Sequence, residues 1–150
     1  MLYKFIYSLL SVYWKIFHPK TLGVRVLIIK GKQILLVEHT YGEGYFLPGG
    51  GVKKFETFED AAKREVFEET GLKTNNLKLF GVFQNTKEGK LDTGVVFITK
   101  TLSLETERES WEIKNTEWFN LSKLPENLNP GSKRRIEEFK SNAYPTFGKW

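Results

Sequence analysis

The sequence predicts an α/β domain in which helices pack against a mixed β-sheet. Runs rich in valine and isoleucine alternate with two segments that have helical character. Hydrophobic residues make up 40% of the 150 residues, so the chain can bury one core. No repeat, low-complexity tract or linker divides it, which indicates one domain behind a distinct N-terminal segment.

That segment, residues 1–20, is predicted to form an extra amphipathic helix. Apolar residues recur at helical spacing through residues 1–17, and Pro19 ends the pattern. The run contains two lysines and is short for a membrane span. We expect the helix to pack on the domain or on a second copy, as in a homodimer; peripheral contact of residues 1–17 with a membrane is the alternative.

The domain proper is predicted to occupy residues 21–150. Strands at 22–29 and 33–38 form a hairpin, and a short apolar piece at 45–47 leads into the glycines Gly49, Gly50 and Gly51. A helix follows at 57–70, with Thr57 as its N-cap and Gly71 at its C-terminus. Further elements are expected in order: strands at 78–86, 94–101 and 117–119, and a helix at 132–140. The tail, 141–150, has no assigned packing partner.

The amino-acid composition limits the kinds of nucleophile and metal site that the chain can have. The absence of cysteine excludes disulfides, thiol nucleophiles and Cys-ligated zinc, and the two histidines match no metal-ligand spacing. A bound metal would therefore have oxygen ligands, which favours Mg²⁺ or Mn²⁺. The net charge of +5 favours anionic partners without choosing between phosphorylated molecules, nucleic acid and membranes. No signal-peptide cleavage pattern follows the N-terminal segment, and we expect a cytoplasmic protein.

The first predicted helix carries Glu65, Glu68 and Glu69 on one face. Like charges at these spacings repel by roughly 0.2–0.5 kcal/mol per pair, so their clustering indicates a cation that neutralises them. Arg64 precedes Glu68 by four residues and could hold it by a salt bridge. Ala61 and Ala62, one turn earlier, would leave room for a ligand, and a carbonyl of the glycine loop could be a further metal ligand.

Residues 50–72 match the pattern G-x5-E-x7-R-E-U-x-E-E-x-G-U, in which U is aliphatic, at every specified position. This segment, hereafter the box, resembles the signature of the Nudix (MutT-like) superfamily. The resemblance implies an α/β/α sandwich with a mixed sheet. It also implies Mg²⁺-dependent hydrolysis of a nucleoside diphosphate linked to a further group X.

The resemblance assigns roles to residues in and beyond the box. Glu65, Glu68 and Glu69 would bind metal, one of them acting as general base, and the Gly50 carbonyl would be another ligand. Glu56 would support the metal site and Arg64 would orient the glutamates. Many members also use a glutamate outside the box, for which Glu112 is the candidate here.

The substrate is less well defined than the reaction. Tyr41 and Phe46, near the glycine loop, could stack on a base, and Asn85 and Asp92 could line the substrate pocket; all four could equally be structural. We expect a small molecule such as a nucleoside triphosphate, a nucleotide sugar or a dinucleoside polyphosphate, in preference to nucleic acid. The alternatives are a non-catalytic Nudix-like nucleotide-binding module and an RNA 5′-end pyrophosphohydrolase.

Overall fold

The computed structural model describes Val12, Tyr13, Ile16 and residues 20–86, 91–100, 103–105 and 110–150. From Lys20 onward, nine strands and two helices follow one another in the described parts. In chain order they are β1 (Lys20–Lys30), β2 (Gln33–His39), β3 (Tyr45–Phe46), α1 (Phe58–Thr70), β4 (Leu72–Lys73), β5 (Lys78–Asn85), β6 (Leu91–Thr99), β7 (Ser103–Glu105), β8 (Ile113–Asn120), α2 (Pro130–Lys140) and β9 (Thr146–Lys149).

The main sheet is mixed, as predicted. Its strand order is β3-β2-β1-β6-β5-β9, and β8 joins β2. β1 runs parallel to β6 along nine paired residues, and β9 runs parallel to β5, whereas the β1–β2, β2–β8 and β5–β6 pairs are antiparallel. β4 and β7 form a separate antiparallel pair.

The glycine loop is bound along the first half of β1. β1 pairs with β2 only at its end, around Ile29 and Ile34. Upstream, the Val24 and Val26 amides donate to the Gly50 and Pro48 carbonyls, both at 2.9 Å. The segment between β3 and α1 therefore occupies a strand position beside β1, which fixes the loop relative to the sheet.

Helices cover the sheet from both sides. Leu27 and Ile29 of β1 belong to one buried cluster together with Ile136 of α2. Val24, Val26 and Ile28 alternate with them and belong to a second cluster, which α1 joins through Ala61, Ala62 and Val66. The predicted α/β/α sandwich is confirmed. The expectation that Ala61 and Ala62 leave room for a ligand is wrong, because both are fully buried against the sheet.

The locally encoded elements lie where they were predicted. Thr57 caps α1 by accepting a bond from the Asp60 amide at 3.1 Å, and Gly71 ends the helix in the left-handed conformation. β8 is longer than the predicted 117–119. The unassigned tail contains β9, which contributes an edge strand through backbone pairing with β5.

The prediction for residues 1–20 falls almost wholly outside the described residues. Val12, Tyr13 and Ile16 are helical and about half or more exposed. Where the structure is described, no helix has both the length and the apolar character needed to cross a membrane.

We predict that Gly49→Ala destabilises the protein. Gly49 has φ 144°, and a Cβ there would clash with the Val24 carbonyl, whereas a Cβ at neighbouring Gly51 would meet nothing within 4 Å. Chemical denaturation should show Gly49→Ala losing at least about 2 kcal/mol of unfolding free energy. The matched control, Gly51→Ala, should stay close to wild type; equal losses in the two variants would contradict this account.

Candidate active site

Gly50 makes room for the first box glutamate. A Cβ at Gly50 would lie 2.6 Å from Oε1 of Glu65, so only glycine allows this carboxylate to approach the loop. The Gly50 carbonyl, a predicted metal ligand, accepts the amide of Val24 at 2.9 Å. A carbonyl oxygen has two lone pairs, so this bond is compatible with a second interaction.

Arg64 connects the acidic residues of the box. Its Nη1 lies 2.6 Å from Oε1 of Glu65 and 3.1 Å from Oε2 of Glu68. Its Nε and Nη2 contact the two carboxylate oxygens of Glu56 at 2.7 and 2.9 Å, and Nη2 also donates to the Gly51 carbonyl. The predicted Arg64–Glu68 salt bridge is present within a larger network.

Glu56 is stabilised as an anion. Its pKa is lowered to about 2, chiefly by the hydrogen bonds from Arg64 and further by a hydrogen bond from the Lys53 amide at 2.9 Å. Glu56 therefore remains ionised and serves as the fixed counter-ion of Arg64.

Glu69 differs from its neighbours because it is buried. Only 5% of the residue is exposed, while the side chain of Glu68 is 47% exposed. Burial raises the pKa of Glu69 to about 8, and the nearby charges of Glu65 and Glu112 act in the same direction. The Gly49 amide, which donates to its Oε2 at 2.8 Å, and the charge of Arg25 oppose this shift.

Glu112 lies in the electrostatic neighbourhood of the box. Its charge acts on Glu69, Tyr41 and His39, and its backbone carbonyl accepts the amide of Thr40 at 2.8 Å. Tyr41 stacks on His39 with ring centroids 5.0 Å apart. The structure thus brings Glu112 and Tyr41 to the same side of the site as Glu69.

The donor set suits a hard divalent cation. The charges of Glu65 and Glu112 raise the pKa of Glu69, and a cation bound beside Glu69 would relieve both this repulsion and the desolvation of its carboxylate. In the part of the chain that is described, no three acidic or histidine side chains already converge as a metal cage. There Arg64 contacts Glu65 and Glu68, and Lys53 lies 3.8 Å from Glu68.

A cavity of about 420 Å³ opens beside the glycine loop. Gly50 and Arg25 line one part of it, and Asn85 and Asp92 line another. Asp92 faces Asn85 across the β5–β6 pair and accepts a hydrogen bond from the hydroxyl of Thr21. The four residues predicted to contact substrate therefore separate into two groups. Asn85 and Asp92 line this cavity, whereas the rings of Tyr41 and Phe46 pack against His39.

Sequence reasoning missed three residues of the site. Arg25 lines the cavity and its charge acts on Glu69; the one available signal was a lone charge inside the apolar run 22–29. His39 is buried between Tyr41 and Phe46. Trp150 lines the cavity from beyond β9, and no local pattern indicates that role.

Comparison with known proteins shows the family of this chain. The model of the NUDIX domain matches residues 19–139. This chain belongs to the NUDIX family. It is 34% identical over 121 residues to diphosphoinositol polyphosphate phosphohydrolase 3-alpha of Mus musculus, covering 77% of this chain and 74% of the mouse protein.

Two further relatives are bacterial. A Bacillus subtilis (strain 168) protein provisionally named 8-oxo-dGTP diphosphatase is 32% identical over 124 residues, 82% of each chain. The structure of a MutT NUDIX hydrolase from Burkholderia pseudomallei superposes with a TM-score of 0.72 and 25% identity, covering 79% of this chain and 97% of that one. The predicted class of enzyme, a hydrolase of phosphorus-containing acid anhydrides, is confirmed for this NUDIX protein.

We predict that the metal-free protein loses stability as pH rises from about 4.5 to 8, and that Glu69→Gln removes much of this loss. In that window the unfolded Glu69 ionises while the buried carboxyl remains protonated, so the folded state binds more protons. The difference between the variants should reach roughly 2–4 kcal/mol above pH 8. Denaturation with chelator across pH 4–9 measures it. Glu59→Gln, on the exposed first turn of α1, is the control, and a pH-independent offset would contradict the prediction.

Proposed function

We propose that this NUDIX hydrolase cleaves the diphosphate of a nucleoside diphosphate linked to X, with Mg²⁺ or Mn²⁺ as cofactor. The observation that carries the proposal is that the Glu65 carboxylate lies against Gly50, which also lines the cavity, while the buried Glu69 carboxyl accepts the amide of the adjacent Gly49. A diphosphate bound between these carboxylates and the cavity would have its anhydride at the carboxylates and its nucleoside in the cavity.

The chain's own residues have separable tasks in this reaction. Glu65, Glu68, Glu69 and Glu112, with the Gly50 carbonyl, would hold the cation, and Arg64 and Glu56 keep the box carboxylates in place. When bound, Mg²⁺ neutralises phosphate charge and lowers the pKa of the attacking water. One box carboxylate accepts the proton of that water, the new O–P bond forms, and the bridging P–O bond breaks.

Arg25 and Lys53 are suited to contact the substrate's phosphates. Arg25 lies in the cavity wall on the Gly50 side, and Lys53 lies 3.8 Å from Glu68 with its side chain 65% exposed. Cations near the carboxylates would attract the polyanionic substrate and stabilise the charge that spreads over the transferred phosphoryl group.

The lining of the cavity favours a nucleoside over a multiply phosphorylated ring as the group attached to the diphosphate. Its lining combines Phe83 and Trp150 with the Asn85 amide and the Asp92 carboxylate. A carboxylate repels phosphate groups and accepts hydrogen bonds from the amino groups of a base. An inositol carrying several phosphates is the second candidate, since the mouse relative is named for such substrates.

We predict that Glu68→Gln lowers kcat at least a hundredfold while the fold is retained. The substitution removes one negative charge and one proton acceptor from the site. The assay measures phosphate release, after coupling to a phosphatase where needed, from nucleoside triphosphates, nucleotide sugars, ADP-ribose, dinucleoside polyphosphates, a diphosphoinositol polyphosphate and 5′-triphosphorylated RNA, each with Mg²⁺ and with Mn²⁺.

Glu59→Gln is the matched control for this experiment. Glu59 lies on the same helix, is half-exposed and pairs with Lys63 at 2.7 Å, outside the box network. It should retain wild-type activity. Metal-dependent turnover of nucleotides supports the proposal, whereas turnover of only the inositol or RNA substrate would replace its substrate class. A folded wild type that hydrolyses no member of the panel would overturn it.

A further inference from the structure

The cavity has an aromatic wall supplied by the end of the chain. Trp150 lines it together with Phe83, and the two rings meet edge to face with centroids 6.3 Å apart and planes at 68°. Phe83 is 1% exposed and belongs to the core, so its position is set by packing. Trp150 is only half-buried, and its position depends on contacts made by the tail.

Two contacts hold Trp150 in place, and a third holds the residue before it. Its amide donates to the Gln84 carbonyl at 2.9 Å, which extends the β9–β5 pairing by one bond. Its indole packs so closely on Gly131 of α2 that a Cβ there would overlap the ring. Arg135 donates to the carbonyl of the preceding residue, Lys149, at 3.2 Å.

Arg135 is an unusual residue for this position. It is 2% exposed, and its guanidinium lies 3.6 Å from the centroid of the Phe83 ring and 5.5 Å from that of Trp150. Its Nη2 pairs with Glu138 at 2.7 Å, and its Nε has no hydrogen-bond partner among the described residues. Burying a cation costs free energy unless its contacts compensate. The guanidinium of Arg135 contacts both aromatic rings that line the cavity.

We propose that Trp150 is a specificity-determining residue that stacks on the nucleobase of the substrate, and that Arg135 is the positioning residue that holds it there. The inference rests on the proposed function. An indole provides a flat surface on which any nucleobase can stack, while Asn85 and Asp92 contact the polar edge of the base. The group recognised is therefore a planar heterocycle attached to a diphosphate.

The test compares ligands with and without a base. Calorimetry with Mg²⁺ measures binding of the α,β-methylene analogues of ADP and GDP, and of methylenediphosphonate, which lacks the nucleoside. Trp150→Leu keeps apolar packing on Gly131 but loses the aromatic face, and should weaken binding of the nucleotide analogues roughly tenfold. Binding of methylenediphosphonate should not change, and Trp150→Phe should retain most of the affinity.

Phe147→Ala is the matched control. Phe147 lies on the same strand, is 88% exposed and does not line the cavity. It should bind all three ligands as the wild type does. Arg135→Met should weaken nucleotide binding as Trp150→Leu does, and the double variant should be no weaker than Trp150→Leu alone, because Arg135 acts through Trp150.

Each other result overturns the inference. The inference is wrong if Trp150→Leu binds the nucleotide analogues as tightly as the wild type does. It is also wrong if Trp150→Leu loses affinity for methylenediphosphonate to the same extent, or if the wild type binds no nucleotide analogue. Hydrolysis by the wild type is measured separately. If the wild type hydrolyses nucleotides and Trp150→Leu has an unchanged KM, the proposed function stands and this inference fails. If nucleotide binding depends on Trp150 but no nucleotide is hydrolysed, this inference stands and the proposed function fails.

Discussion

The pairing of the glycine loop with β1 is the constraint on which the rest of the site depends. β1 is held on its other edge by the long parallel pairing with β6, so its position in the sheet is well determined. The bonds from Val24 and Val26 transfer that position to Gly50 and Pro48. Gly50 then contacts Glu65 on α1 and also lines the cavity, so one backbone segment aligns the carboxylates with the cavity.

The clustered negative charges of the site lower the stability of the metal-free fold but suit a site that binds a cation. Like-charged glutamates on one helix face repel, and a buried carboxylate such as Glu69 loses its hydration. Arg64 compensates only in part, through Glu56, Glu65 and Glu68. A sequence selected for stability alone would avoid this arrangement. It becomes favourable when a divalent cation binds among the carboxylates, which is the physical basis for the proposed metal dependence.

The proposed function assigns reaction type and substrate choice to different parts of this NUDIX protein. The box, the glycine loop and Glu112 form the part suited to the anhydride. The lining of the cavity comes from β1, β5, β6 and the tail, which the box pattern does not specify. This separation is consistent with relatives of similar identity that are named for inositol and nucleotide substrates. It also makes the tail, with Trp150 and Arg135, the natural place to look for specificity.

The sequence by itself determined the features that depend on local spacing. Alternating apolar residues predict β1 and β2, Thr57 and Gly71 mark the ends of α1, and the box identifies the glutamates and Arg64, because each of these signals lies within a few turns or strands of chain. Tertiary structure decided the features that depend on distant pairing. Ala61 and Ala62 are buried because α1 presents that face to the sheet, and Arg25 reaches the site because β1 passes beside the glycine loop. β9 forms by backbone bonds to a strand about 65 residues earlier, so no local pattern could indicate that Trp150 lines the cavity.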